Sequence, residues 1–141
     1  MATPVLLAHA AVTWTLVGLI WVVQVVHYPL LAAVGEPAYA AYQRRHMQRI
    51  TWLVAPLMLT ELACAAFLLI APPVGVPVWM PIAGVVLLAA IWLSTVLLQM
   101  PAHAMLQDGF DAHAHRRLVR GNWVRTAAWS LRGLLAMLLL I

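Results

Sequence analysis

Residues 78–100 read VWMPIAGVVLLAAIWLSTVLLQM, twenty-three positions without one charged side chain. A helix of ~20 such residues covers the ~30 Å hydrocarbon core of a bilayer. Three further apolar segments are long enough to do the same, at about residues 5–26, 50–71 and 123–141, the second interrupted by Glu61 and the last by Arg125 and Arg132. Thr3-Pro4 introduces the first, a capping residue followed by a proline suited to a first helical turn. Pro72-Pro73 stops the second. Composition agrees with the pattern: 65% of the 141 residues are hydrophobic and 9% are charged, against ~45–50% and ~25% in soluble domains. A soluble fold this small has too little interior to hide that much apolar surface. The sequence therefore predicts an all-α protein, one integral membrane domain built as a bundle of four transmembrane helices in two hairpins.

The net charge of +4 does not point to nucleic acid, because the eight basic residues are all Arg set among apolar spans. A single cysteine, Cys64, excludes an internal disulfide and any paired-cysteine metal site. No basic residue precedes Arg44, so the first segment lacks the positive region of a signal peptide and reads as a retained span. Arg44, Arg45 and Arg49 lie between the first and second spans, and Arg116, Arg117 and Arg120 between the third and fourth. The positive-inside rule puts both connections in the cytoplasm and both termini on the non-cytoplasmic side. The expected location is the bacterial cytoplasmic (inner) membrane, with the lipid bilayer as the first partner.

Gly35-Glu36-Pro37 and Asp108-Gly109-Phe110-Asp111 both read as helix starts, with acids near a positive helix end. Helices two and four are thus expected to begin ~15 residues before their spans. Pro56 and Pro81 are expected to bend spans two and three. The halves also resemble each other: Pro29 and Pro101 are 72 residues apart, as are Arg44-Arg45 and Arg116-Arg117. This spacing suggests a parallel repeat of two hairpins.

Ionisable groups inside apolar spans default to a functional reading. Glu61 lies 12 residues beyond Arg49, and Arg132 lies 12 beyond Arg120. Equal depth and opposite charge make them expected partners, either a salt bridge that fixes helix register or catalytic groups. His46, Ile50, Leu53, Leu57 and Glu61 are spaced as one helical stripe, and Asn122, Arg125, Trp129 and Arg132 as another. Two hairpins bring His27, His46 and His103 to one membrane face, with His113 and His115 at the same level. Gln24 sits one turn from His27, and Gln99 one turn from His103. Imidazoles from separate helices, backed by carboxamides, are what a bundle uses to hold iron, copper or haem. His27, His46 and His103 are the candidate metal ligands. Gln24, Gln99, Asn122 and Arg125 are the candidate cofactor-binding residues. Each histidine alone also reads as a residue snorkelling to the interface.

Two stretches carry a resemblance. One is His27-Tyr28-Pro29-Leu30 followed by Tyr42-Gln43-Arg44-Arg45-His46-Met47-Gln48-Arg49-Ile50-Thr51-Trp52. The other is Gln99-Met100-Pro101-Ala102-His103 followed by Asn122-Trp123-Val124-Arg125-Thr126. They resemble a group of small four-helix bacterial integral membrane proteins and are more loosely similar to anthrone-oxygenase-like domains. The resemblance spans nearly the whole chain and implies a four-helix bundle with an oxygenase role. His27, His46, Gln99, His103, Asn122 and Arg125 are the positions at which it is carried.

Two functional expectations follow. The first is a metal- or haem-dependent membrane oxidoreductase acting on a lipophilic small molecule, with Glu61 and Arg132 as buried catalytic partners. The second is a non-catalytic small subunit of a respiratory or photosynthetic complex, assembled with other membrane subunits or as a homo-oligomer. Reporter fusions at Met1 and Ile141 check the predicted topology: both report the non-cytoplasmic side, and a cytoplasmic signal from either end defeats it.

Overall fold

The computed structural model describes residues 2–141, with side chains from Pro4 onward. Four helical rods form an all-α bundle. Rod α1 runs as an α-helix over Ala2–Val22, widens to a π turn at Val23–His27 and ends in the α turn Tyr28–Leu31. Rod α2 is Glu36–Ile70. Rod α3 is Trp79–Ser94, a π turn Thr95–Gln99 and Met100–Met105. Rod α4 is Ala112–Leu138. Helices two and four do begin ahead of their apolar stretches, α2 at Glu36 and α4 after Asp111, whose side chain accepts from the Ala114 N–H.

Pro29 and Pro101 explain the two π turns. Each lacks an N–H and presses its ring towards the carbonyl four residues back. The residue before each proline bonds five residues back instead, Tyr28 N–H to Val23 O and Met100 N–H to Thr95 O. The two turns begin at Val23 and Thr95, 72 residues apart. The hairpins thus share one irregularity at one place, and His27 and Gln99 are its equivalent last residues. Pro81 does not bend α3, because it falls in the first turn, where a missing N–H costs nothing. Pro56 lies inside α2. Between α2 and α3 the Pro73–Val76 turn closes with Val76 N–H donating to Pro73 O at 3.2 Å. Its third position is Gly75 at φ +87°, the left-handed region that only glycine enters without strain.

Pro4–Leu31, Glu36–Ile70 and Trp79–Met105 are each long and apolar enough to cross a membrane. The fourth rod falls short of that composition because it carries Arg116, Arg117, Arg120, Arg125 and Arg132. The last two of these, with Asn122 and Thr126, face the other helices, while Leu131, Leu134 and Met137 face outward. The distribution is inverted relative to a soluble fold. Glu61 and Arg132 are 0% and 1% exposed, whereas Val86 and Leu97 are each 62% exposed. Lipid is the solvent that tolerates this arrangement.

Rod α1 packs against α2 and α4, and α3 packs against α4; the α2–α3 seam is the sparsest. Val12, Leu16, Ile20, Met58, Ile91 and Trp129 form one apolar cluster. Nearer the Arg-bearing connections, Tyr28, Leu31, Tyr39, Leu106 and Leu118 form a second. The stripe expected on α2 needs one correction. Leu53 is half exposed and points away, while Val54 packs against the first cluster. The inward row is therefore His46, Ile50, Val54, Leu57–Met58 and Glu61, since two turns of ~3.6 residues back from Glu61 reach Val54 rather than Leu53.

Close approach of α1 and α4 depends on Gly133. A Cβ there would lie 3.1 Å from Val17 Cγ2 and 3.4 Å from the Trp14 ring. Gly133→Leu should therefore lower stability by about 1–3 kcal/mol, the usual cost of overpacking. Gly18, whose added Cβ would meet nothing within 4 Å, should accept Ala without loss. Thermal unfolding in detergent, followed by circular dichroism, compares the two.

Candidate functional site

The deepest polar centre is an ion pair. Arg132 Nε donates to Glu61 Oε1 at 2.9 Å. Thr13 Oγ1 donates to the same oxygen at 3.0 Å, and Trp129 Nε1 donates to Oε2 at 3.0 Å. Arg132 also donates from Nη1 to the Gly84 carbonyl and approaches His9 Nε2 from Nη2 at 3.1 Å. All four helices contribute, so the pair expected from equal depth is present and closes the bundle. The catalytic role expected for Glu61 and Arg132 lacks a place for substrate. Both carboxylate oxygens are occupied, and the adjoining cavity is about 10 Å³, room for about one water. His9 and Thr13 escaped the reading of the sequence. Their signal was the inward row His9, Thr13, Leu16 and Ile20 on α1, all buried.

A second polar layer joins α1 to α4. Asn122 Nδ2 donates to Gln24 Oε1 at 2.9 Å, and Gln24 Nε2 donates to the Val119 carbonyl at 3.2 Å. Gln24 is thereby committed to α4 and does not orient His27, because the π turn swings it inward. Arg125 Nη1 donates to Asn122 Oδ1 at 3.3 Å, and its guanidinium lies 5.0 Å from the centre of the Trp129 ring.

The third layer gathers the histidines. The His27 and His46 rings are 4.2 Å apart between centroids, and the His46 and His103 rings 6.1 Å apart. The three come from three helices, as the topology required. They are differently engaged, however. Nε2 of His103 is 2.9 Å from the Tyr28 hydroxyl, and its Nδ1 is 2.9 Å from Gln43 Nε2. Gln43 has only a donor to offer there, so Nδ1 accepts, Nε2 carries the proton, and the Tyr28 oxygen accepts from it. Both ring nitrogens are used. His27 Nε2 is buried without a partner. Among the described residues, no group of three or more His, Cys, Asp or Glu is placed to hold a metal ion. His115 Nε2 lies 2.8 Å from the Tyr28 carbonyl and fastens α4 to α1, while His113 is exposed. Tyr28 and Gln43, which fix His103, had no signal beyond their places in the motif-like stretches.

Beside these layers the α2–α3 seam opens into a cavity of about 380 Å³, within the ~300–1,000 Å³ of small-molecule sites. Met47, Ile50, Val54 and Met58 from α2 and Trp92 and Met100 from α3 form apolar walls. Thr51, Ala55, Leu59 and Met100 are exposed at the rim, so the mouth opens sideways onto the lipid-facing surface. Tyr28, Gln99, His103 and Arg125 line the inner end. Several polar atoms there lack partners: Gln99 Nε2 and Oε1, Arg125 Nε and Trp92 Nε1 are all buried without a hydrogen bond. Gln99 also sits where a Cβ on Gly121 would come within 3.1 Å of its Nε2, so the glycine on α4 makes room for it. Of the residues singled out in the sequence, Gln99, His103 and Arg125 meet at this cleft. Glu61, Arg132, Gln24 and Asn122 belong to the two structural layers. His27 and His46 stand next to the cleft and do not line it.

The ion pair gives a direct test. Glu61→Leu strands Arg132 among apolar helices and should cost about 3–5 kcal/mol, while Glu61→Leu with Arg132→Met should recover most of that loss. Denaturation midpoints of the three proteins measure it. Compared with family models, with curated proteins and with solved structures, the chain matches none.

Proposed function

We propose that this membrane protein takes a lipophilic small molecule from the bilayer into the α2–α3 cleft and holds its polar end on Gln99 and Arg125. One observation carries the reading. An apolar, lipid-facing cavity ends on a carboxamide whose donor and acceptor are both buried and unpartnered. A lost hydrogen bond of this kind costs about 1–3 kcal/mol per group, and a bundle interior offers no bulk water to satisfy it. A ligand with a polar head and an apolar body supplies the partners and fills the walls at once. Tyr28, His103 and Gln43 form a hydroxyl–imidazole–carboxamide chain at the same end. That chain fixes the His103 tautomer and leaves the Tyr28 O–H, which accepts from the imidazole, free to donate its own proton to a bound head.

A redox reaction assisted by iron, copper or haem is the second reading. Its support is His27 Nε2, buried and unpartnered beside His46. Metal analysis of the purified protein tests it: stoichiometric metal that is lost in His27→Ala supports it, and metal absent from both proteins removes it.

Ala55 stands at the rim of the cleft. Ala55→Trp should fill the mouth and weaken binding of a neutral long-chain ester about tenfold or more, the loss of a modest share of apolar contact. Native mass spectrometry of the detergent-solubilised protein measures it. Equal binding by the parent and the variant would remove the cleft reading.

A further inference from the structure

Arg125 is a cation in want of an anion. It is 8% exposed, in the middle of a bundle whose solvent is lipid. The chain has four acidic residues. Glu61 is committed to Arg132, the only ion pair among the described residues. Glu36 is the first residue of α2, Asp111 caps α4, and Asp108 lies in the loop just before that cap. None reaches Arg125. Its compensation consists of one carboxamide oxygen at 3.3 Å and the face of the Trp129 ring, with the Tyr28 hydroxyl beside it. Nε is buried with no partner. Buried charges are ordinarily paired, and Arg132 shows how fully this same helix pairs a cation when an acid is at hand.

We infer that the head group of the cleft's ligand is a carboxylate, so that the molecule held there is an acidic amphiphile of the fatty-acid type. This rests on the cleft reading above and adds the charge of the ligand to it. Arg125 lines the inner end of the cavity together with Gln99. Their free donors, Arg125 Nε and Gln99 Nε2, suit the two oxygens of a single carboxylate. A phosphate dianion would bring more negative charge than this one cation balances. The walls of Met47, Ile50, Val54 and Met58 accept an alkyl chain, and the lateral mouth lets its end remain in the bilayer. The exposed cluster of Arg116, Arg117 and Arg120 differs in kind, since its guanidinium groups reach water and lipid headgroups at the surface.

The experiment compares palmitate with methyl palmitate on the whole protein in detergent, by native mass spectrometry. Palmitate should bind about tenfold to a hundredfold more tightly, as a charge-assisted contact exceeds a neutral one. Arg125→Gln should erase the preference, so that this variant binds acid and ester equally, while Arg125→Lys should keep it. Equal affinity for acid and ester, with Ala55→Trp weakening both, overturns the carboxylate and leaves the cleft standing. A preference that survives in folded Arg125→Gln also overturns it, and places the anion on the surface arginines. Binding of neither compound overturns both readings. A second measurement needs no variant. Palmitate labelled at its carboxyl carbon should show the NMR shift of an ionised head when bound to the parent protein, and a protonated head overturns the inference.

Discussion

A guanidinium inside a bilayer must be surrounded by protein, and that constraint shapes the whole bundle. Rod α4 carries two of them in its apolar half. Arg132 is met by Glu61 from α2, by the Gly84 carbonyl from α3 and by His9 from α1, whose neighbour Thr13 also donates to Glu61. One side chain thus fixes the rotation of all four helices about their axes. The rest of α4's inward face follows from the same requirement, with Asn122 and Thr126 turned towards Gln24 and the leucines left to the lipid. Such a pair confers position more than stability, since desolvating both charges cancels much of their attraction.

The layered interior is the second consequence. Ion pair, apolar cluster, carboxamide layer and imidazole layer succeed one another along the bundle. Polar layers set register, which uniform apolar helices in lipid do not. Where the layers are complete, as at Glu61 and Gln24, the structure is closed. The α2–α3 seam, which α4 does not cover, retains unpartnered polar atoms.

The helices and the Glu61–Arg132 pair were legible in the sequence because both follow from rules of depth and periodicity. Apolar length gave the rods, and counting from Arg49 and Arg120 gave the partner. The convergence of His27, His46 and His103 was legible for the same reason, since chain direction alone brings those ends together. Which polar atoms remain free was not. That depends on χ angles and on the two π turns, which rotate Gln24 towards Asn122 and leave Gln99 at the cleft. Gln24 and Gln99 looked alike in sequence, each one turn from a histidine. Their places in the two π turns separate them: Gln24 is the second residue of its turn, whereas Gln99 is the last, the counterpart of His27. Leu53 and Val54 differ by a similar margin: a 4-3-4-4 count and a 4-4-3-4 count suit the same residues, and packing chooses between them.

The composition of α4 bears on how the protein is made. An arginine at the centre of a lone helix costs about 2.5–3.5 kcal/mol on insertion, and this helix has two, at Arg125 and Arg132. Released by itself into lipid, it would be a poor span. It follows the other three rods in the chain, so Glu61, Thr13, His9 and the Gly84 carbonyl are all synthesised before it. The order of the helices along the chain thus places the acceptors before the cations. For α4, burying its two arginines and packing against the other rods are therefore a single step.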